Sequence, residues 1–209
     1  MSGSWPHDLP ETMLVLAAPD RVLASRWALS LKPCVCQAHG DIARVAAIVG
    51  VSSDALGAHA AGTKLPRTLR TAVAEAAWCG VDALEMAGGL TPAAGRGPWG
   101  EWAARDVADS IRRAGACAYG RTLARAMREC GMTEAALAAE TGLARSVVCR
   151  LASGACVPSL RTGLLVSAAL GLPPLEMLSC DGPDTSAARP CGRIAGPSVD
   201  TQLHNYATT

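Results

Sequence analysis

The sequence predicts an all-α protein built from two copies of one unit. Three observations carry this reading. Half of the 209 residues are apolar, yet aromatics make up only 3% and Phe is absent. An Ala- and Leu-rich chain of that kind suits helices and lacks the β-branched and aromatic residues that sheets use. Apolar residues recur at helical spacing through the later half, as at Leu123, Ala126, Met127 and Cys130. Finally, the chain matches itself at a fixed offset, the mark of an internal duplication. Gly50, Gly62 and Pro66 pair with Gly142, Gly154 and Pro158. After one residue is dropped, Leu69-Arg70-Thr71 pairs with Leu160-Arg161-Thr162, Gly80 with Gly171, and Leu84-Glu85-Met86 with Leu175-Glu176-Met177.

Punctuation then sets the boundaries. The first copy is expected over 17–87. A Gly- and Pro-rich linker follows over 88–100, then the second copy over 101–180. From 181 to 209 the periodicity lapses and Pro, Gly, Ser and Thr accumulate, which reads as a disordered tail. The elements of the second copy follow in order. Residues 121–130 form a helix that Gly131 ends. Thr133 caps a short helix over 133–140 that buries Leu137 and Ala138. Gly142 supplies the turn, and 144–152 forms the next short helix with Val148 and Leu151 inward. Pro158 opens a helix over 158–170 with Leu160, Leu164 and Ala168 to the core, and 173–178 adds a last turn. Two short helices around a Gly-containing turn, inside a five-helix unit, make a helix-turn-helix.

The residues at those places carry a resemblance. Thr133, Leu137, Ala138, Gly142, Arg145, Ser146, Val148, Arg150, Leu151 and Gly154, followed by Pro158 and Ser159, are similar to the lambda-repressor-like, or xenobiotic-response-element (XRE), family of helix-turn-helix regulators. The likeness spans about 118–178. One departure is Glu134, which stands where the family carries Gln and puts an anion beside a phosphate-facing position.

The resemblance implies two tandem five-helix lambda-repressor-like domains in a bacterial, cytoplasmic, nucleoid-associated regulator of transcription. Its partner is double-stranded operator DNA, with a homodimer or a regulatory protein as a further expected partner. In such units the second short helix enters the major groove by its N-terminal residues. Arg145 and Arg150 can fork onto guanine, Ser146 can reach a base edge or phosphate, and Cys149 lies one turn beyond Arg145. Thr133 and Arg161 complete the expected DNA-binding set, Arg161 as a phosphate clamp.

The first copy keeps the skeleton but not the chemistry. Val45, Ala46, Val51 and Leu56 occupy core positions, while the presumed reading helix carries Ser52, Ser53, Asp54, Gly57 and Ala58 and no cation. Ser52, Ser53, Lys64, Arg67 and Arg70 are its candidate DNA contacts. His59 falls at a core position and is expected to be a hydrogen-bonded core histidine. Pro33 is expected to break the first helix into 19–31 and 34–38.

Charge supports the split between the copies. Nineteen Lys+Arg meet eighteen Asp+Glu, for a net charge of +1. Within 101–180 every cation is Arg, the better side chain for phosphate and guanine. Near-neutrality also supports a different reading, in which the helix-turn-helix folds serve as a protein-interaction module, an antiactivator or assembly factor with little DNA binding. No apolar run is long enough to span a bilayer and no secretory signal is visible, so no membrane role is expected. The nine Cys, at 34, 36, 79, 117, 130, 149, 156, 180 and 191, are expected to be reduced thiols, mostly in the core. Cys34, Cys36 and His39 lack a second ligand pair, so no metal and no cofactor is expected. The sequence holds no Gly-rich phosphate loop with Lys, no H-E-x-x-H and no G-x-S-x-G, so no enzyme is expected.

Overall fold

Short side-chain caps and left-handed glycines cut this chain into helices. The computed structural model describes the backbone of residues 9–38, 41–89 and 100–178, and the side chains of 100–117 only at Arg105, Ala108 and Asp109. The described residues are helical and turn structure with no β-strand. The helices are α1 (Leu9–Leu16), α2 (Asp20–Gln37), α3 (Ile42–Val49), α4 (Ser53–Ala60), α5 (Leu69–Cys79), α6 (Ala83–Gly88), α7 (Gly100–Glu129), α8 (Glu134–Thr141), α9 (Arg145–Ala152), α10 (Leu160–Leu170) and α11 (Pro174–Leu178). None of them is long and apolar enough to cross a membrane.

The caps repeat with the sequence. Ser52, Thr68, Thr133 and Ser159 each accept from the backbone N–H three residues on, opening α4, α5, α8 and α10. Asp82 opens α6 with a full capping box, in which the Glu85 carboxylate accepts from the Asp82 N–H at 2.8 Å. Between α8 and α9, Gly142 turns the chain at φ 70°, a conformation costly for any residue with a Cβ.

One expectation about the first copy is corrected. Pro33 does not break the helix: α2 runs unbroken through it. Pro33 and the exposed Leu29, whose carbonyl it leaves without a helical donor, lie on the solvent side. The buried face of Leu23, Trp27, Leu31, Cys34 and Val35 is therefore undisturbed. The break comes earlier, at 17–19, where Pro19 caps α2 and separates it from α1. Together α1 and α2 cover the register of the 30-residue α7. Fully buried Trp27, Ser30 and Leu31 match Tyr119, Thr122 and Leu123. Helix α1 thus lies ahead of the expected start of the first copy at residue 17 and packs on α6 and α10. The expected linker and tail fall largely outside the described residues, with α6 ending at Gly88 and α7 starting at Gly100. The expectation of reduced thiols fails at Cys130, which is disulfide-bonded.

The two copies share one core. At their junction Leu69 N–H donates to the Pro158 carbonyl at 3.1 Å and Leu160 N–H to the Arg67 carbonyl at 3.3 Å. Thr68 and Ser159, equivalent in the repeat, form the antiparallel bridge between them. Such reciprocal bonding between equivalent segments is what a local two-fold relation produces. Leu69 also fills the space a side chain at Gly163 would need, since a Cβ there would lie 2.6 Å from Leu69 Cδ2. Crossed arms complete the junction: α1 packs on α10 of the other copy, and α7 packs on α5 and α3.

Candidate nucleic-acid interface

The later pair of short helices presents a charged outer face over a rigid inner one. Helix α9 buries Val148 and Leu151 completely, or nearly so. Its far end is fixed by backbone proximity, because a Cβ on Gly120 of α7 would lie 2.6 Å from the Gly154 nitrogen and 2.9 Å from the Ala152 carbonyl oxygen. On the α8 side, Thr141 Oγ1 donates to the Leu137 carbonyl at 2.6 Å and accepts from Leu143 N–H at 3.4 Å, which shapes the turn into α9. The helix cannot rotate without losing these contacts.

Arg145, Ser146 and Arg150 occupy the outer face and are exposed. Neither arginine takes part in an ion pair among the described residues. Two arginines at the end of α7 are spent locally: Arg125 pairs with Glu129 at 3.9 Å and Arg128 Nε donates to the Ala124 carbonyl. Thr133 is exposed and committed as the cap of α8.

Cys149 sits half-buried between opposite charges. Its thiol donates to Glu134 Oε2 at 2.8 Å. That bond is the main cause holding the Cys149 thiol above its ordinary range, with burial and the carboxylate's charge adding and Arg145 opposing. Glu134, the departure noted in the sequence, is therefore bonded to α9 rather than left open beside it. The pairing was illegible in sequence because it joins side chains 15 residues apart.

Arg161 stands elsewhere. Its guanidinium donates to the Ala18 carbonyl at 2.8 Å and to Asp20 at 2.5 Å, tying α10 to the α1–α2 break. Of the first-copy candidates, Ser52 caps α4, and Ser53, Lys64 and Arg67 are exposed. Arg70 is half-buried, with one guanidinium nitrogen buried and unpaired. The outer face of α4 exposes Ser53 and Asp54 and carries no cation.

Sequence reasoning anticipated a hydrogen bond for His59 but not its partner. Glu75 is fully buried; its Oε1 lies 2.7 Å from His59 Nδ1, and its Oε2 accepts from Trp27 Nε1–H at 2.8 Å. The available signal was an acid inside the apolar run from Ala72 to Trp78. Such a residue, once folded into a core, requires donors.

Among the described residues no group of His, Cys, Asp and Glu is arranged to hold a metal. Comparison with known proteins finds no matching family model, no matching curated protein and no matching solved structure.

Proposed function

We propose that the chain is a sequence-specific, duplex-DNA-binding regulator of transcription of the lambda-repressor-like kind, made of two tandem five-helix helix-turn-helix domains. Helix α9 of the second domain reads the major groove. One observation carries this reading: Arg145, Ser146 and Arg150 stand exposed on the outer side of a helix whose inner side is pinned by Val148, Leu151 and the Gly120–Gly154 approach. Arg145 and Arg150 fork onto guanine edges, and Ser146 reaches a base or phosphate. The reciprocal bonds at Thr68 and Ser159 support an arrangement in which α4 and α9 face successive major grooves, roughly 34–36 Å apart. The operator is asymmetric, because α4 lacks cations and exposes Asp54. Phosphate contacts in the first domain fall to Lys64 and Arg67. On this reading the protein is bacterial, works in the cytoplasm on the nucleoid, and needs neither cofactor nor metal.

A second reading rests on that same α4 face. Anionic and without a cation, it suits a protein partner better than a phosphate backbone, and the chain then acts as an antiactivator or assembly module. Fluorescence anisotropy on a pool of duplexes at rising salt separates the two. The regulator reading predicts binding that weakens linearly in log-log coordinates. Absence of salt-dependent binding to any duplex selects the interaction module.

A further inference from the structure

The repeat offers an internal comparison of the two cores. Ala126, Leu151, Val166 and Leu170 are the second-copy residues at the places of Cys34, His59, Glu75 and Cys79. The first copy has thus exchanged four apolar positions for reactive or polar groups in one cluster. His59 and Glu75 satisfy each other and Trp27. The two thiols remain without an assigned role.

We propose that Cys34 and Cys79 form a redox site, a dithiol that a hydroperoxide converts to a disulfide joining α2 to α5. Both side chains are buried where these helices pack. Cys79 Sγ donates to the Ser30 carbonyl at 3.8 Å. Ser30 lies one turn before Cys34, so the Cys79 sulfur is delivered to the segment of α2 that carries Cys34. The neighbouring Cys79 side chain holds Cys34 below the ordinary thiol range. Cys34 beside it, with burial adding, pushes Cys79 well above that range. Cys34 is therefore the attacking sulfur and Cys79 the resolving one.

Access comes from Pro33. Lacking an N–H, it removes one hydrogen bond from the last turns of α2, next to Cys34 and on the solvent side. A terminal stretch held by fewer bonds opens locally at lower cost than the rest of the core. Arg125, the second-copy residue in that register, has its N–H.

The chemistry balances as follows. Cys34 thiolate attacks the hydroperoxide, its O–O bond breaks, and Cys34 becomes a sulfenic acid while the alkoxide takes a proton and leaves as an alcohol. The Cys79 sulfur then attacks the Cys34 sulfur. The S–O bond breaks, and hydroxide leaves with the Cys79 proton as water. Two thiols are oxidised, and one hydroperoxide is reduced to alcohol and water.

The test uses the full chain, reduced, freed of reductant and treated with hydrogen peroxide until the exposed Cys36 is modified. Free thiols are then alkylated under denaturing conditions and the peptides mapped. A Cys34–Cys79 linked peptide that disappears on reduction is the expected result, together with a Cys34 sulfenic acid trapped by dimedone in C79S. The proposal is overturned if Cys34 and Cys79 are both fully alkylated while Cys36 is oxidised. It is equally overturned if Cys34 is found joined to a different cysteine.

Discussion

Arg145 and Arg150 are legible in the sequence because charge beside an inward Val148 and Leu151 at helical spacing leaves them only an outward direction. What the sequence hides is how neighbouring side chains are engaged. Cys149 looks like one more group on the reading face, yet it is bonded to Glu134. Its thiol, held above the ordinary range, stays protonated at neutral pH, so alkylation is slow there and accelerates only on the alkaline side. Glu134→Ala removes the main cause. The Cys149 alkylation profile then shifts to lower pH and the neutral-pH rate rises, which peptide mapping against time measures. In the first copy, His59→Ala leaves the fully buried Glu75 without one of its two partners and costs roughly 3 kcal/mol or more by urea denaturation. The double replacement His59→Leu with Glu75→Val installs the second-copy residues and recovers most of that loss. The remainder reflects the orphaned Trp27 indole. If single and double variants are equally unstable, the pair is not the unit described here.

At the scale of elements, caps and turns were the readable part. Thr133, Gly142, Gly154, Pro158 and Gly171 mark boundaries through local backbone chemistry, and a local signal survives in one dimension. Helix α1 was not readable as part of the repeat, because the break at 17–19 hides its alignment with α7, which shares few identities there. The expectation about Pro33 failed for a related reason. A proline ends a helix when its lost bond is buried, and only packing shows that Leu29 and Pro33 face solvent. The element most sensitive to a small change is the α7–α9 crossing. Gly120→Ala drives a methyl into the backbone of Gly154. It lowers stability by about 1–3 kcal/mol in thermal or urea unfolding and tilts α9 off its seat. A variant as stable as the parent would mean that the close approach does not fix the helix.

For the whole molecule, two units sharing one core should behave as one. The reciprocal bonds at Thr68 and Ser159, the Leu69 side chain over Gly163, and the crossed arms α1 and α7 all join the copies. Unfolding in urea is therefore expected to give superimposable transitions by Trp fluorescence and far-UV circular dichroism, with two separated steps as the contrary outcome. None of this junction was visible in the repeat itself, since equivalence of two segments does not say that they touch. The duplication also separates roles: one copy keeps the arginine-bearing helix, and the other keeps the scaffold while filling its core with His59, Glu75 and thiols. The most direct test of the central claim is selection of binding sites from random duplexes, run side by side with the full chain and with Arg145→Ala. The account predicts one enriched motif with a guanine that the variant no longer requires, and an affinity loss on the parental motif of more than about fivefold, or roughly 1 kcal/mol. No enriched motif, or the same motif bound equally well by both proteins, would contradict it.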